Sequence, residues 1–110
     1  MQIKSETRRN FVLVAVSGRV DSSNADRLTE ALKKLTDARH YKIILDLSGL
    51  EYMSSAGLRA LIVALRVCES HFGSLALAQP SARATALLEL AGLNHRFQIY
   101  HTIAEAEAAL

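Results

Sequence analysis

The amino-acid sequence predicts an α/β fold: a single domain, residues 1–110, in which a mixed, mainly parallel β-sheet packs against about four α-helices. Short apolar runs of strand length recur along the chain, and longer amphipathic segments with helical spacing separate them. Residues suited to helix N-caps and glycines suited to helix ends lie at the boundaries of these segments. Half of the 110 residues are apolar, which is enough for one buried core.

The β-strands are predicted from apolar, β-branched runs. Phe11 to Ser17 reads FVLVAVS and is a central strand that ends at Gly18. Ile3 to Thr7 alternates weakly and forms a hairpin with it through a turn at residues 8–10. Later strands are predicted at Lys42–Leu47, Ser74–Ala78 and Phe97–Tyr100. Because helices separate these later strands, their pairing is expected to be parallel.

The first helix is predicted from about Ser23 to Ala38. Its expected N-cap is Ser22, Ser23 or Asn24, since short polar side chains favour that position. One apolar face is expected to pack on the sheet, and its residues are Leu28, Leu32 and Leu35.

Three further helices follow. The second runs from about Gly57 to His71, and Gly73 is its predicted stop. The third covers about Ser81 to Ala91 and ends at Gly92, and the fourth runs from a Thr102 cap through Ala109. The inward faces of the last two helices are expected to contain Leu87, Leu88 and Ala91, then Ile103, Ala106 and Leu110.

Composition and charge exclude several classes of protein. The formal net charge is +2, and Trp is absent, so the chain lacks the basic stripe and stacking aromatics of a nucleic-acid binder. No segment approaches the roughly 18 apolar residues of a membrane span. The N-terminal MQIKSETRRN has no apolar run of a secretory signal, and one cysteine excludes an internal disulfide framework. We therefore expect a cytoplasmic protein that binds neither nucleic acid nor membrane.

The sequence offers no catalytic or metal-binding constellation. The histidines at positions 40, 71, 95 and 101 lack metal-ligand spacing, and Cys68 is expected to pack in the core. Asp46 ends a buried strand, like the phosphoacceptor of response-regulator receivers, but the acidic pair that receivers use to hold magnesium is missing after Phe11–Ser17. We expect Asp46 to serve in a turn, and the chain to be no enzyme and to need no metal or cofactor.

Two serines at a predicted helix start are the most informative feature. After the strand Lys42–Leu47 the chain reads SGLEYMSSAGLRAL, which places Ser54 and Ser55 just before the second helix. An N-cap worth about 1 kcal/mol explains one hydroxyl but does not require two. Free backbone N–H groups and the helix dipole also allow a phosphate at such a place. The residues alone leave open whether a serine is phosphorylated or only caps.

This segment resembles the signature of the STAS domain family, which is named for sulfate transporters and anti-sigma-factor antagonists. Antagonists of that family typically have Tyr or Phe, Met or Ile, and then Asp-Ser-Ser/Thr-Gly-Leu. This chain has Tyr52-Met53-Ser54-Ser55-Ala56-Gly57-Leu58. Other family landmarks are similar to Gly18-Arg19-Val20-Asp21, Gly73-Ser74-Leu75 and Leu90-Ala91-Gly92-Leu93. The resemblance therefore spans almost the whole chain and implies a STAS-like fold.

The resemblance implies that Ser55 is the phosphorylated serine and that Gly57 is the family's glycine. Ser54 replaces the usual Asp and is the alternate phosphoacceptor, and Ala56 replaces the second Ser or Thr. The partner-binding surface implied by the family comprises Asp21, Ser22, Ser54, Ser55, Ala56, Gly57 and Arg59.

The function implied by the resemblance is partner switching. An unphosphorylated antagonist binds an anti-sigma factor that is also a serine kinase of the ATPase-fold type, which releases the sigma factor. The kinase then phosphorylates the antagonist at Ser55 and the complex dissociates, and a PP2C-type serine phosphatase restores the serine.

Two alternatives remain. The first is a STAS accessory subunit that regulates a transporter ATPase, in which the helix after Gly57 is the docking face and Ser55 needs no modification. The second is a small enzyme on the same scaffold, which the missing nucleophile–base pair disfavours.

Overall fold

The computed structural model describes residues 1–110 and contains six strands and four helices. The strands are β1 (Gln2–Thr7), β2 (Val12–Val20), β3 (Lys42–Asp46), β4 (Leu50–Met53), β5 (Ser74–Ala78) and β6 (Gln98–Tyr100). The helices are α1 (Ala25–Asp37), α2 (Ser55–Ser70), α3 (Ala82–Leu90) and α4 (Ile103–Ala108).

The sheet is mixed and mainly parallel, as predicted. Its strand order is β1-β2-β3-β5-β6, and only the hairpin pair β1–β2 is antiparallel. β2 pairs with β3 through Ala15, and it pairs with β4 from Gly18 onward. β2 therefore pairs with β3 along its first part and with β4 along its last part. β4 extends the sheet beside the start of α2.

The prediction that the central strand ends at Gly18 is wrong. Gly18 adopts a left-handed φ of +81° and donates its N–H to the carbonyl of Gly49 at 2.9 Å, and the register shifts here. A glycine with this φ bends a strand at a bulge without ending it. The strand consequently continues to Val20, which brings the following loop against β4.

Strand β4 was not predicted. It is four residues long, with Leu50 and Met53 buried and Glu51 exposed. So short a segment carries little local signal, and its partner is the part of β2 beyond the bulge. β4 therefore depends on a pairing that connects distant parts of the chain.

The helices cover both faces of the sheet. The larger core contains side chains from one face of β2, β3 and β5, together with Leu28, Leu32, Leu61, Leu65 and Cys68 from α1 and α2. The smaller core lies beneath α4 and consists of Phe11, Leu13, Ile44, Ala78 and Ala106. Because successive strand residues point to opposite faces, adjacent residues such as Ile43 and Ile44 belong to different cores.

Most helix faces agree with the prediction, with two corrections. Leu28 and Leu32 are fully buried, and Leu35 is half-buried and packs against the larger core, as predicted. Ala91 and Leu110 are exposed and do not face inward. The hydroxyl of Thr102 accepts from the N–H of Glu105 at 3.0 Å, as expected of an N-cap. None of the four helices combines the length and the apolar run that crossing a membrane would take.

Gly73 ends α2 for a different reason from the one predicted. The left-handed residue is Phe72, at φ +60°, and Gly73 is needed because a Cβ at this position would overlap the backbone carbonyl of Tyr41. We expect Gly73→Ala to lower the free energy of unfolding by about 2–3 kcal/mol, since the backbone must move.

Gly92→Ala is the matched control for this prediction in urea melts. Gly92 has φ +71°, but a Cβ added there would meet no atom within 4 Å, so only the backbone conformation is penalised. That penalty is about 1–2 kcal/mol. Equal losses for the two variants would show that the close approach at Gly73 does not matter.

Candidate phosphorylation and partner-binding site

Ser54 is held in place as the N-cap of α2. Its hydroxyl accepts from the N–H of Gly57 at 3.4 Å, and its carbonyl accepts from the N–H of Leu58 at 3.0 Å. Its own N–H donates to the carbonyl of Val20 at 2.8 Å. Ser54 therefore connects the end of β2 to the start of α2, and its hydroxyl is already engaged.

Ser55 is the first residue of α2 and lies at the surface. Its hydroxyl makes no hydrogen bond within the chain, in contrast to that of Ser54. The first turn of α2 contains no acidic residue, so no side chain of that turn offsets the positive end of the helix dipole. Of the two adjacent serines, Ser55 has the accessible and unengaged hydroxyl.

Gly57 brings the start of α2 close to the sheet. A Cβ at this position would lie 2.6 Å from Cγ of Met53 and 2.9 Å from Cγ1 of Val20. Gly57 is buried, so it supports the surface from below and is not itself available to a partner. The glycine thus places Ser55 by allowing close packing of α2 on the ends of β2 and β4.

The loop before α1 lies next to the start of α2. Asp21 Oδ1 accepts from the N–H and the hydroxyl of Ser23, and these bonds, the hydroxyl first, hold the pKa of the Asp21 carboxyl below its usual value. Asn24 Oδ1 accepts from the N–H of Asp21 at 2.9 Å, and Asn24 Nδ2 donates to the carbonyl of Arg19 at 3.0 Å. The loop is therefore fixed by its own side chains.

These bonds correct the predicted cap of α1. Asn24 occupies the N-cap position, but its side chain makes no bond to the helix. Its oxygen is used by the N–H of Asp21 instead. The side chain thus orders the loop and leaves the first N–H groups of α1 without a side-chain cap.

The structure brings together most of the residues implied by sequence. Ser22, Ser55, Ala56 and Arg59 are exposed, and Asp21 and Ser54 are half-buried. The bond from Ser54 N–H to the carbonyl of Val20 joins the two segments, since Val20 directly precedes Asp21. The loop before α1 and the first turn of α2 therefore form one surface, which we call the switch surface (Asp21, Ser22, Ser55, Ala56 and Arg59).

Sequence reasoning missed a cation–π pair beside the switch surface. The guanidinium of Arg19 lies 4.7 Å from the ring centroid of Tyr52, across the β2–β4 pair. A contact of this type contributes about 0.5–1 kcal/mol at an exposed site. Only recognition of β4 and its register would have revealed the pair.

The groups considered for catalysis have structural roles. Asp46 Oδ1 accepts from the N–H of Ser48 at 3.0 Å and from Gln79 Nε2 at 3.1 Å, which confirms its role in a turn. Cys68 is buried as predicted, and burial raises the pKa of its thiol to about 11, with Glu69 adding to the effect. No three His, Cys, Asp or Glu side chains lie close enough together to hold a metal ion.

The fold, the cap at Ser54 and the glycine beneath Ser55 define the class of protein. The chain belongs to the STAS domain family, whose sequence profile matches residues 2–106.

Two bacterial proteins are similar over most of the chain. BtrV of Bordetella bronchiseptica, whose name assigns it provisionally to the anti-sigma factor antagonists, is 27% identical over 109 residues, 99% of this chain and 94% of BtrV. The anti-sigma F factor antagonist of Paenibacillus polymyxa is 26% identical over 101 residues, 91% of this chain and 86% of that protein.

Solved structures share the fold. A Thermotoga maritima protein, also provisionally named an anti-sigma factor antagonist, superposes with a TM-score of 0.89 at 24% identity over 97% of this chain and 92% of that one. The anti-sigma factor antagonist SpoIIAA in its unphosphorylated form gives 0.80 at 20% identity, over 96% and 92%. Phosphorylated SpoIIAA of Bacillus gives 0.76 at 20% identity, over 98% of both chains. At these identities the likeness establishes the shared fold alone.

Proposed function

We propose that this protein is an anti-sigma factor antagonist that works by partner switching, with Ser55 as its phosphoacceptor. The observation that carries the proposal is the difference between the two serines: Ser55 is exposed with a free hydroxyl, and Ser54 is engaged as the cap. The names of the two similar bacterial proteins support the role. SpoIIAA, which has this fold, has been solved in both phosphorylated and unphosphorylated forms, and this supports a phosphate-regulated switch.

The proposed partner is an anti-sigma factor that is also a serine kinase of the ATPase-fold type. In the unphosphorylated state it binds the switch surface, where Ser55 and Arg59 are exposed on α2 beside the ordered Asp21 loop. The kinase transfers a phosphoryl group to Ser55, and a PP2C-type serine phosphatase removes it. In this proposal the chain is a cytoplasmic binding module that catalyses nothing and needs no cofactor.

The position of Ser55 suits a modification that must leave the fold intact. A phosphate adds about −1.5 to −2 charges at neutral pH. At the first residue of α2 it faces the positive end of the helix dipole, which stabilises a negative charge by about 0.3–1 kcal/mol. Because the hydroxyl makes no internal bond, phosphorylation breaks no contact of the folded chain. The charge therefore changes the surface and spares the core.

Phosphorylation mapping tests the assignment of the site. The anti-sigma factor captured by the wild-type protein from its native lysate is purified and incubated with ATP and the wild type, Ser55→Ala or Ser54→Ala, and tandem mass spectrometry locates the phosphate. We expect modification of Ser55 in the wild type and in Ser54→Ala, and none in Ser55→Ala. Ser54→Ala should also lose about 1 kcal/mol of stability as the cap is removed.

Two outcomes would contradict the assignment. Phosphate on Ser54 alone would move the phosphoacceptor by one residue. The absence of phosphate on both serines, with equal partner binding by the wild type and Ser55→Asp, would favour the accessory subunit of a transporter ATPase.

A further inference from the structure

A furrow runs along the surface between α1 and α2. It consists of a cavity of about 410 Å³ and an adjoining one of about 210 Å³, which share Thr29, Ala60 and Val63 as lining residues. The smaller cavity reaches Ala56, and the larger one ends at His71. At 1.5 Å per helical residue this distance is about 22 Å. The furrow therefore begins directly beside Ser55 and follows most of α2.

Small side chains leave the furrow open. Ala60 and Ala64 of α2 and Thr29 and Thr36 of α1 line it, and none of them is long enough to fill the space between the two helices. Val63 stands on the α2 side with 48% of its surface exposed. Ala60, Ala64 and Thr36 are themselves buried. The apolar surface that the furrow presents to solvent beside the switch surface is therefore that of Val63, together with the half-buried Val67.

Two unpaired charges border the narrow end of the furrow. Asp26 lies on α1 and Arg59 on α2, and both line the smaller cavity together with Ala56. The ion pairs of the chain are Arg8–Glu6, Lys33–Asp37 and Arg96–Glu69, so neither Asp26 nor Arg59 has a partner of opposite charge. A ligand that complements this end carries an acidic group for Arg59 and a basic group for Asp26.

We propose that the furrow binds an amphipathic helix of the anti-sigma factor, with an acidic residue of that helix paired to Arg59. Apolar side chains at helical spacing would pack on Val63 and Val67, which is how grooves between helices accept a third helix. The inference rests on the proposed function, because the furrow is continuous with the switch surface at Ala56. It adds two details to that function. The partner docks through an amphipathic helix, and Arg59 of this chain responds to the charge that releases the partner.

Arg59 connects docking to phosphorylation. It follows Ser55 by four residues in α2, so the two side chains lie on the same face of the helix, one turn apart. A phosphate on Ser55 attracts the guanidinium of Arg59 and repels the acidic group of the docked helix. Phosphorylation thus removes the ion pair between the partner and Arg59 and at the same time introduces a charge that repels the partner.

Binding measurements with the purified anti-sigma factor test the furrow. Val63→Glu, on α2, and Thr29→Glu, on the α1 wall, place a charge in it, and we expect each to weaken binding by about 100-fold. Val63→Ala should weaken it only about threefold, because it removes two methyl groups from a half-exposed site. Leu90→Glu is the control: Leu90 is 88% exposed on α3, outside the furrow, and its change should leave affinity unchanged.

The outcomes separate the furrow from the switch. If Val63→Glu and Thr29→Glu bind the anti-sigma factor with unchanged affinity while Ser55→Asp binds it more weakly, the furrow is not the docking site and the proposed function still stands. Unchanged affinity of Ser55→Asp would overturn the proposed function itself. Light scattering tests whether a second copy of this chain occupies the furrow instead. A wild-type dimer that Val63→Glu converts to monomer would assign the furrow to a second copy and overturn the proposal. Far-UV circular dichroism establishes that each variant is folded.

A double-mutant cycle of Ser55→Asp and Arg59→Gln tests the role of Arg59. We expect Arg59→Gln alone to weaken binding about tenfold, and Ser55→Asp to weaken it about tenfold less in the Arg59→Gln background than in the wild type. Equal effects of Ser55→Asp in the two backgrounds would show that Arg59 does not sense the charge at Ser55.

Discussion

Phosphorylation of Ser55 is expected to weaken the complex with the anti-sigma factor by about 100-fold or more, which corresponds to a loss of about 3 kcal/mol. The phosphate brings about −1.5 to −2 charges into the proposed interface, where the unmodified hydroxyl is uncharged. At the centre of an interface this charge must be desolvated or must repel neighbouring groups. Ser55→Asp adds a single charge and should produce a smaller effect in the same direction. Titration calorimetry measures the affinities of the phosphorylated protein and of Ser55→Asp. The ionic strength is held constant because salt screens surface charges.

Stability distinguishes this effect from unfolding. Ser55 is exposed, its hydroxyl makes no internal bond, and the dipole of α2 favours a negative charge at its position. We expect the free energy of unfolding of Ser55→Asp to stay within about 0.5 kcal/mol of the wild type. A large loss of stability would mean that reduced binding reflects a damaged fold.

Ser70→Asp is the matched control for the charge. Ser70 is the last residue of α2 and is exposed, so the variant adds the same charge at the opposite end of the same helix. There it opposes the dipole, and it removes the bond from the Ser70 hydroxyl to the carbonyl of Val67. We expect lower stability and unchanged affinity. Equal loss of affinity in Ser70→Asp and Ser55→Asp would contradict a local switch.

Leu32→Ala is expected to lower the free energy of unfolding by about 2–5 kcal/mol, the largest effect on stability. Leu32 retains 1% of its surface exposure and lies in the larger core with residues of α2 and the sheet. Truncation removes three buried carbon atoms and leaves a cavity that close-packed neighbours fill only in part. Urea melts measure the change.

Leu35→Ala is the control for Leu32, because it makes the same truncation on the same helix at a half-buried position. Its cost should be about half or less. A loss below about 0.5 kcal/mol for Leu32→Ala would show that the inner face of α1 is misassigned.

Patterns within a few residues were enough to predict most of the elements. β5 has the bounds Ser74–Ala78 in the structure, as predicted from its apolar run, and Thr102 caps α4. Gly92 has the left-handed backbone expected after α3. These features depend on local spacing and on the φ preferences of single residues, so the sequence carries them directly.

The incorrect predictions depend on contacts that local spacing does not reveal. Gly18 and Gly73 were both interpreted as stops, yet one bends β2 at a bulge and the other allows close approach to the carbonyl of Tyr41. Asn24 was a candidate cap, but its oxygen is used by the N–H of Asp21. For the two glycines, a contact with a distant part of the chain decides which local option the residue takes. For Asn24, a bond within the same loop competes with capping of the helix.

The candidate site divides in the same way. The sequence by itself determined that a hydroxyl pair stands at the start of α2 and that its surroundings resemble the STAS signature. Only the tertiary structure shows which of the two hydroxyls is engaged in the cap and which is exposed. The N–H of Ser54 pairs with the carbonyl of Val20, and Gly57 packs against the ends of β2 and β4, so α2 begins at Ser55 and leaves its hydroxyl free. The bond and the packing contact with Val20 join segments that lie far apart in the chain. The α1–α2 furrow depends on the tertiary structure for the same physical reason, since its two walls meet only when both helices pack on one core.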